Sequence, residues 1–364
     1  MIVKKIFLYQ YSLPFIFPLA IKGKNIKNRE GLIIRLQSEC GHEGLGEISP
    51  LANFSRESLD QAQKQIISMA VFLTHEHFPH DLEKLEGRFE NYLGRFNLLP
   101  SVRFGIEMAI LNLIASKKKV SLSDILSVEH QGSVRINGLL QGTKEDVVQQ
   151  AKDLLAKGYT SMKLKVGSNI DEDIEKFNAV NEIVYGKVLL HLDANQAWDS
   201  EQAIEFGEKI GCASVDYIEE PFKDYKDIPE FFNKTLIPVA LDETLLTTDI
   251  NEIKSIDGVD FVVIKPTVIG GVEKTFHIVK EVQKVAINCV VSSSYETDLG
   301  IFTLASMAAC SHRNVEAGLD TLKFLKTRLL IKPFDMNGGK ISVDRLPINF
   351  DELDSSVLQP IPFK

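Results

Sequence analysis

From about residue 134 the chain repeats one unit, a short apolar run read as a strand and then a longer stretch with apolar residues at helical spacing. The candidate strands are Val134 to Leu140, Ser161 to Val166, Val188 to Asn195, Ser214 to Pro221, Pro238 to Glu243, Phe261 to Pro266, Asn288 to Tyr295 and Asn314 to Asp320. The first unit shows why the intervening stretches read as helices. Thr143 can cap the N-terminus, Glu145 and Asp146 fall in the first turn, Val147, Val148, Ala151, Leu154 and Leu155 follow at helical spacing, and Gly158 can end the helix. Lys165, Asp193, Glu219, Asp242 and Lys265, each near a strand end, are separated by 28, 26, 23 and 23 positions, a spacing that suits repeated βαβ crossovers. Eight such strands predict closure into a parallel barrel.

A barrel of this kind takes roughly 200 to 250 residues, so a chain of 364 has room for a second unit. Residues before 131 lack the rhythm: they read as strands near 3 to 11 and 31 to 37 and as helices near 57 to 73 and 101 to 116. The expected fold class is α/β, a TIM-like (β/α)7β barrel over residues 131–330 with an α+β capping domain over 1–130. The tail over 331–364, which contains Pro333, Gly338, Gly339, Pro347, Pro360 and Pro362, is expected to pack back on that domain.

The apolar run from Ile6 to Ile21 is broken by Gln10, Tyr11, Ser12, Pro14 and Pro18 and lacks a cleavage pattern, so it reads as one or two strands with a turn. A cytoplasmic protein without membrane contact is expected. The net charge of −9 gives no electrostatic reason to bind nucleic acid, and the run Lys117 to Lys119 reads as a solvated helix end. Cys40, Cys212, Cys289 and Cys310 lie far apart, which suggests buried thiols rather than a disulfide framework or a zinc site.

Active sites of β/α barrels lie where the C-terminal strand ends converge, and the polar residues fall there. Lys163 and Lys165 share one face of the second strand. Two inward ammonium groups repel, which would lower the pKa of at least one and provide an amine base; lysines reaching solvent are the other reading of these two alone. The third strand ends with Asp193 and Asn195 on one face, the fourth with Glu219-Glu220-Pro221 and the fifth with Asp242-Glu243. Alternation lets one residue of each doublet point inward. Any one of these acids could be a helix cap, but three carboxylates meeting from successive strands repel unless a hard cation joins them. An all-oxygen set suits Mg²⁺, for which Mn²⁺ can substitute. The sixth strand ends at Lys265, the seventh in Ser292-Ser293-Ser294-Tyr295-Glu296, and the eighth in Gly318-Leu319-Asp320.

K-x-K on the second strand, D-x-N on the third, E-E-P on the fourth, D-E on the fifth and K on the sixth occur in the order seen in the enolase superfamily, and the barrel resembles its muconate-lactonizing subgroup. The resemblance implies that Asp193, Glu219 and Asp242 bind Mg²⁺ and that Lys165 and Lys265 face each other across a small carboxylate substrate. Finer segments resemble o-succinylbenzoate synthases: Gly46-Glu47-Ile48-Ser49-Pro50-Leu51 with Phe54-Ser55, Pro100-Ser101-Val102-Arg103-Phe104, Asn137-Gly138-Leu139-Leu140, the serine run at 292 to 294, and Gly318-Leu319-Asp320-Thr321. That likeness implies dehydration of 2-succinyl-6-hydroxy-2,4-cyclohexadiene-1-carboxylate to o-succinylbenzoate, a step toward menaquinone. Lys165 would act as acid and base, Lys163 would assist, and Lys265 would stabilise the anion as a cation. Ser292 and Ser293 would hold the succinyl carboxylate, with Asn195, Arg103 and Asp320 as further substrate contacts.

Racemases of N-succinyl amino acids share much of this pattern and would use Lys165 and Lys265 as two bases. Dipeptide epimerases of the subgroup carry D-x-D on the eighth strand, where this chain has Gly318 and Asp320. A non-catalytic, ligand-binding barrel is the alternative of another class. Loops around residues 14 to 26 and 49 to 57 are expected to close over the distal part of the ligand, and the oligomeric state is left open. His75, Glu76, His77 and His80 read as a surface loop, Gly44-Leu45-Gly46 as a turn, and Trp198 as either a mouth residue or packing.

Overall fold

The computed structural model describes residues 2–21, 23–79, 81–311 and 315–363. The first part contains β1 (Val3–Ile21), β2 (Lys24–Ser38), β3 (Glu43–Ile48), α1 (Leu59–Leu73), α2 (Arg88–Leu93), α3 (Pro100–Lys118) and α4 (Leu122–Leu126). Buried residues recur along β1 with its solvent-facing side chains between them, as expected of an antiparallel strand with one face on a core. Its pairing with β2 is irregular between Pro14 and Leu19, where the interrupting prolines lie. The strand order in this sheet places β3 beside β2 and, on the other edge, a strand from the tail, Leu358–Pro360, beside β1.

Gly44 and Gly46, read from the sequence as a turn, are inside β3. They allow a close approach, because a Cβ on either would strike the backbone carbonyl of Ala109 or Gly105 on α3. His75 and His77 are tied to the start of β1 by backbone pairing, and His80 lies outside the described residues. No disulfide joins the cysteines, of which Cys40 and Cys212 are exposed rather than buried.

The second part runs β4 (Ser133–Arg135), β5 (Gly138–Leu140), α5 (Lys144–Ala156), β6 (Ser161–Lys165), α6 (Ile170–Val184), β7 (Leu189–Asp193), α7 (Ser200–Ile210), β8 (Val215–Glu219), α8 (Ile228–Thr235), β9 (Val239–Leu241), α9 (Ile250–Ile253), β10 (Val259–Ile264), α10 (Pro266–Ile269), α11 (Val272–Gln283), β11 (Asn288–Val291) and α12 (Asp298–Ala309). The tail adds β12 (Lys340–Ser342) and the strand already paired with β1, β13 (Leu358–Pro360). Thr143 caps α5 through a reciprocal bond with Asp146, as its position suggested.

Strands β5 to β11 form one parallel sheet in chain order. The eighth position is held by Ala317 and Gly318 alone: Ala317 bridges to Ile136 and Gly318 to Ser292, which closes the ring. The expected eighth strand is thus much shorter than Asn314 to Asp320, and Asn314 lies outside the described residues. The expected first strand is also divided, since β4 leaves the ring to pair antiparallel with β12 and β5 takes over within it. Inside the ring Tyr217, Ala240, Phe261, Val263 and Val290 pack as a separate apolar cluster. Two residues further along the same strand faces come Glu219, Asp242, Lys265 and Ser292, so this plug forms the floor on which the polar end rests. Among the described residues no helix is long and apolar enough to cross a membrane.

Candidate active site

Strand register brings the polar ends level. Lys165 lies opposite Asp193 on β7, and Asp193 lies opposite Glu219 on β8. Asp242 follows β9 directly and continues its inward face. In a ring of eight, β6 and β10 are four steps apart, so Lys165 and Lys265 come from opposite walls with the three carboxylates on the arc between them.

The lysines neutralise that arc. Lys163 Nζ lies 2.7 Å from Asp193 Oδ2 and 2.6 Å from Glu219 Oε2. Lys165 Nζ donates to Asp193 Oδ2 at 2.6 Å and to Asn195 Oδ1 at 2.7 Å. Lys265 pairs with Asp242 and stands 5.3 Å from the centroid of the Phe54 ring. The Lys165 side chain is 39% exposed, against 12% for Lys163 and 14% for Lys265, so Lys165 is the amine with most access to a ligand.

Mutual repulsion was expected to lower a lysine pKa. For Lys163 the opposite holds: burial works against its charge, but Asp193, Glu219 and Tyr217 outweigh burial and hold the ammonium well above its ordinary value. Lys265 is raised in the same way against burial, by Asp242 and Glu219. Asp193 is buried, yet Lys163 and Lys165 keep it well below the usual carboxylate range. Glu219 is pushed up to about 8, first by burial and then by the charge of Asp193.

Alternation resolves the doublets. Glu219 faces inward, whereas Glu220 accepts from Asp242 N at 2.8 Å, Thr244 N at 2.7 Å, Thr244 Oγ1 at 2.9 Å and Gln196 Nε2 at 2.8 Å. Glu220 thereby locks the segment after β9, which carries Asp242, to the loops after β7 and β8. The left-handed backbone at Glu220, φ 44°, follows from this turn outward.

Among the described residues no three carboxylate, imidazole or thiolate groups stand as a ready-made metal cage, since lysine nitrogens lie between the oxygens. The donor set nevertheless fits a hard cation. Glu219 Oε1 is buried without a partner, and burial, followed by the charges of Asp193 and Asp242, pushes Glu219 toward protonation. A divalent cation on these oxygens would remove both costs.

The other expected contacts separate. Asn195, left-handed at φ 47°, orients Lys165. The Ser292 and Ser293 hydroxyls are buried and used within the barrel, on Gly318 O at 3.3 Å and Thr321 Oγ1 at 2.8 Å. Arg103 is not in the mouth: its guanidinium pairs with Glu107 at 2.7 Å, Glu90 at 2.5 Å and Glu273 at 3.7 Å, joining α3 to α2 and α11. Asp320 Oδ2 accepts from Leu139 N at 3.0 Å and Lys323 Nζ at 2.5 Å, so it closes the barrel seam instead of facing a ligand. Trp198 packs against Phe206 with ring centroids 4.5 Å apart.

Tyr295 was missed by sequence reasoning. Burial raises its pKa, while the charges of Lys163 and Lys265 act on it from the mouth. Its ring meets Phe15 edge-on at 6.0 Å and Phe324 at 5.9 Å. Its place directly after the serine run was the available signal.

Comparison with known proteins gives a consistent family. Residues 146–347 match the model described as Enolase C-terminal domain-like, and residues 3–113 match MenC, N-terminal domain. The o-succinylbenzoate synthase of Aliivibrio salmonicida is 30% identical over 326 residues, covering 88% of this chain and 91% of that protein. Protein PHYLLO, chloroplastic, from Arabidopsis thaliana is 33% identical over 75% of this chain, which spans only 17% of that longer protein. Among solved structures, muconate lactonizing enzyme from Pseudomonas fluorescens superposes with TM-score 0.85 at 19% identity, covering 98% of this chain and 99% of that one. N-succinyl Arg/Lys racemase from Bacillus cereus gives TM-score 0.85 at 21% identity, covering 100% of both chains. These two establish the fold alone, while the family models and the synthase relatives carry the assignment: the chain is an enzyme that belongs to the enolase superfamily.

Proposed function

We propose that the enzyme is an o-succinylbenzoate synthase that dehydrates 2-succinyl-6-hydroxy-2,4-cyclohexadiene-1-carboxylate. The observation that favours this reading is that likeness to the synthases extends through both parts of the chain, including the region that matches MenC, N-terminal domain. The seam of the barrel argues against a dipeptide epimerase. This chain has Gly318 where the first acid of a D-x-D pair would stand, a Cβ there would come 2.5 Å from Ser292 Oγ and require that hydroxyl to move, and Asp320 is already engaged by Leu139 N and Lys323 Nζ.

Asp193, Glu219 and Asp242 would hold Mg²⁺, with Mn²⁺ as a substitute; the bound cation would supply the positive charge these oxygens now take from lysines and draw charge from the substrate carboxylate. Lys165, as the neutral amine, takes the proton from the carbon bearing the carboxylate. The C–H electron pair forms the new ring double bond, the C–O bond at the neighbouring carbon breaks, and Lys165 returns the proton to the departing hydroxide as water. Acid and base are one residue, so proton and hydroxyl leave from the same face. Asn195 orients the Lys165 amine, Lys163 keeps positive charge beside Asp193 and Glu219, and Lys265 places a cation on the opposite wall.

A racemase of N-succinyl amino acids is the second reading, favoured by the placement of Lys165 and Lys265 on opposite walls. Assays for o-succinylbenzoate formation and for solvent deuterium entry at Cα of N-succinyl amino acids divide the two. The proposal expects fast dehydration; Cα exchange without dehydration would replace it with the racemase.

A further inference from the structure

The serines expected to hold the distal carboxylate have their hydroxyls turned into the barrel wall. On the same side of the mouth stands a cation that the reaction does not use. Lys323 follows the closing segment, and its Nζ donates to Asp320 Oδ2 at 2.5 Å and to Leu139 O at 2.8 Å, at the C-terminal end of β5. An ammonium has three N–H donors, so one is left. The side chain is 36% exposed, so that donor has access to a ligand.

The route from Lys323 to the reacting groups is lined by aromatic rings. Lys323 Nζ lies 5.5 Å from the centroid of the Phe324 ring, Phe324 meets Tyr295, and Tyr295 stands within the field of Lys163 and Lys265. Phe15, from the long first hairpin, packs edge-on against Tyr295 and bridges to Leu325. A ligand following this wall has one end among the catalytic lysines and the other beside a fixed ammonium.

We propose that Lys323 is a specificity residue that binds the second carboxylate of a dianionic substrate. Asp320 and Leu139 O hold the ammonium in place, and Phe324 and Tyr295, their rings tilted 51° to each other, line the wall beside the intervening apolar part. The proposal rests on the synthase reading for the identity of that dianion, and it explains how the site distinguishes a dicarboxylate from a monocarboxylate of the same shape.

The test is calorimetric binding to the Mg²⁺-loaded enzyme of two ligands, o-succinylbenzoate and 2-butyrylbenzoate, in which a methyl group replaces the distal carboxylate. Wild type is expected to prefer the dicarboxylate by about 10- to 100-fold, the size of one charge-assisted hydrogen bond. In Lys323→Gln that ratio should fall to within about three-fold, and Lys323→Arg, which keeps the charge, should retain most of it. An undiminished ratio in Lys323→Gln, or no preference in wild type, overturns the proposal. Circular dichroism of both variants shows whether the seam has stayed intact; if Lys323→Gln is misfolded, Lys323→Met takes its place, and a fall of the ratio supports the role while an undiminished ratio overturns it. Absence of dehydration by wild type would overturn the synthase reading instead, and because the ratio needs no turnover, it judges Lys323 separately.

Discussion

Lys165, the last residue of β6, and Lys265, the first after β10, are alike in type, yet their surroundings differ. Lys165 is the more open, shares Asp193 with Lys163 and is steered by Asn195, whereas Lys265 is held against Asp242 beneath Phe54. If dehydration uses one base and one fixed charge, Lys265→Met should lower kcat by about 100- to 1000-fold, as removal of a charge-stabilising donor does. Asn195→Ala costs only the orientation of Lys165 and should lower kcat by about 3- to 10-fold. Steady-state rates of the two variants check this order; equal losses would mean that Asn195 does more than orient. At the same scale, EDTA should abolish turnover, and added Mg²⁺ or Mn²⁺ should restore it and raise the thermal midpoint of the wild-type enzyme.

Elements decide which side chains reach the mouth, and here sequence and structure diverge instructively. Strict alternation along β6 to β10 makes Lys163, Lys165, Asp193, Glu219 and Asp242 legible, because inward positions recur every second residue whatever packs outside. What alternation cannot convey is the partner of each group. Arg103 follows a motif that resembles the synthases, but it sits on α3, facing Glu90, Glu107 and Glu273. Likewise the glycine pair at 44 and 46 looks like a turn until α3 lies across it. Gly44→Ala should therefore cost about 1 to 3 kcal/mol or more through overpacking, read as a lower melting midpoint.

The joint between α3 and α11 adds a pH dependence. Burial pushes Glu107 from its ordinary value of 4.5 up to about 7, although Arg103 pulls the other way. Between those values the folded chain keeps a proton that the unfolded chain has lost, so this group's contribution to stability falls as pH rises from 4.5 to about 7. The slope for one such proton is at most about 1.4 kcal/mol per pH unit. Glu107→Gln should flatten the melting midpoint over this window relative to wild type; an unchanged slope would show that Glu107 is ionised throughout.

Across the whole molecule, the first part of the chain does more than cover the barrel. Arg29 is fully buried and donates to Tyr295 O at 2.8 Å, Pro50 O at 3.2 Å and Ser49 O, fastening the loop near Phe54 to the segment after β11. Glu47 accepts from Thr297 N at 3.0 Å, Thr297 Oγ1 at 2.7 Å and Gly300 N at 2.9 Å, and so caps α12 from β3. The segment that places Tyr295 is thus held from the other half of the chain. None of this was readable from periodicity, because it depends on contacts between residues some 250 positions apart.

The central claim is that Lys165 moves the proton on a site assembled by Asp193, Glu219 and Asp242. It is tested most directly by following o-succinylbenzoate formation from the cyclohexadiene carboxylate, in the presence of Mg²⁺, by wild type and by Lys165→Ala with unchanged circular dichroism. Rapid formation by wild type and a loss of at least about 1000-fold in the variant is the predicted result. A folded variant that keeps a rate near that of wild type would contradict the account.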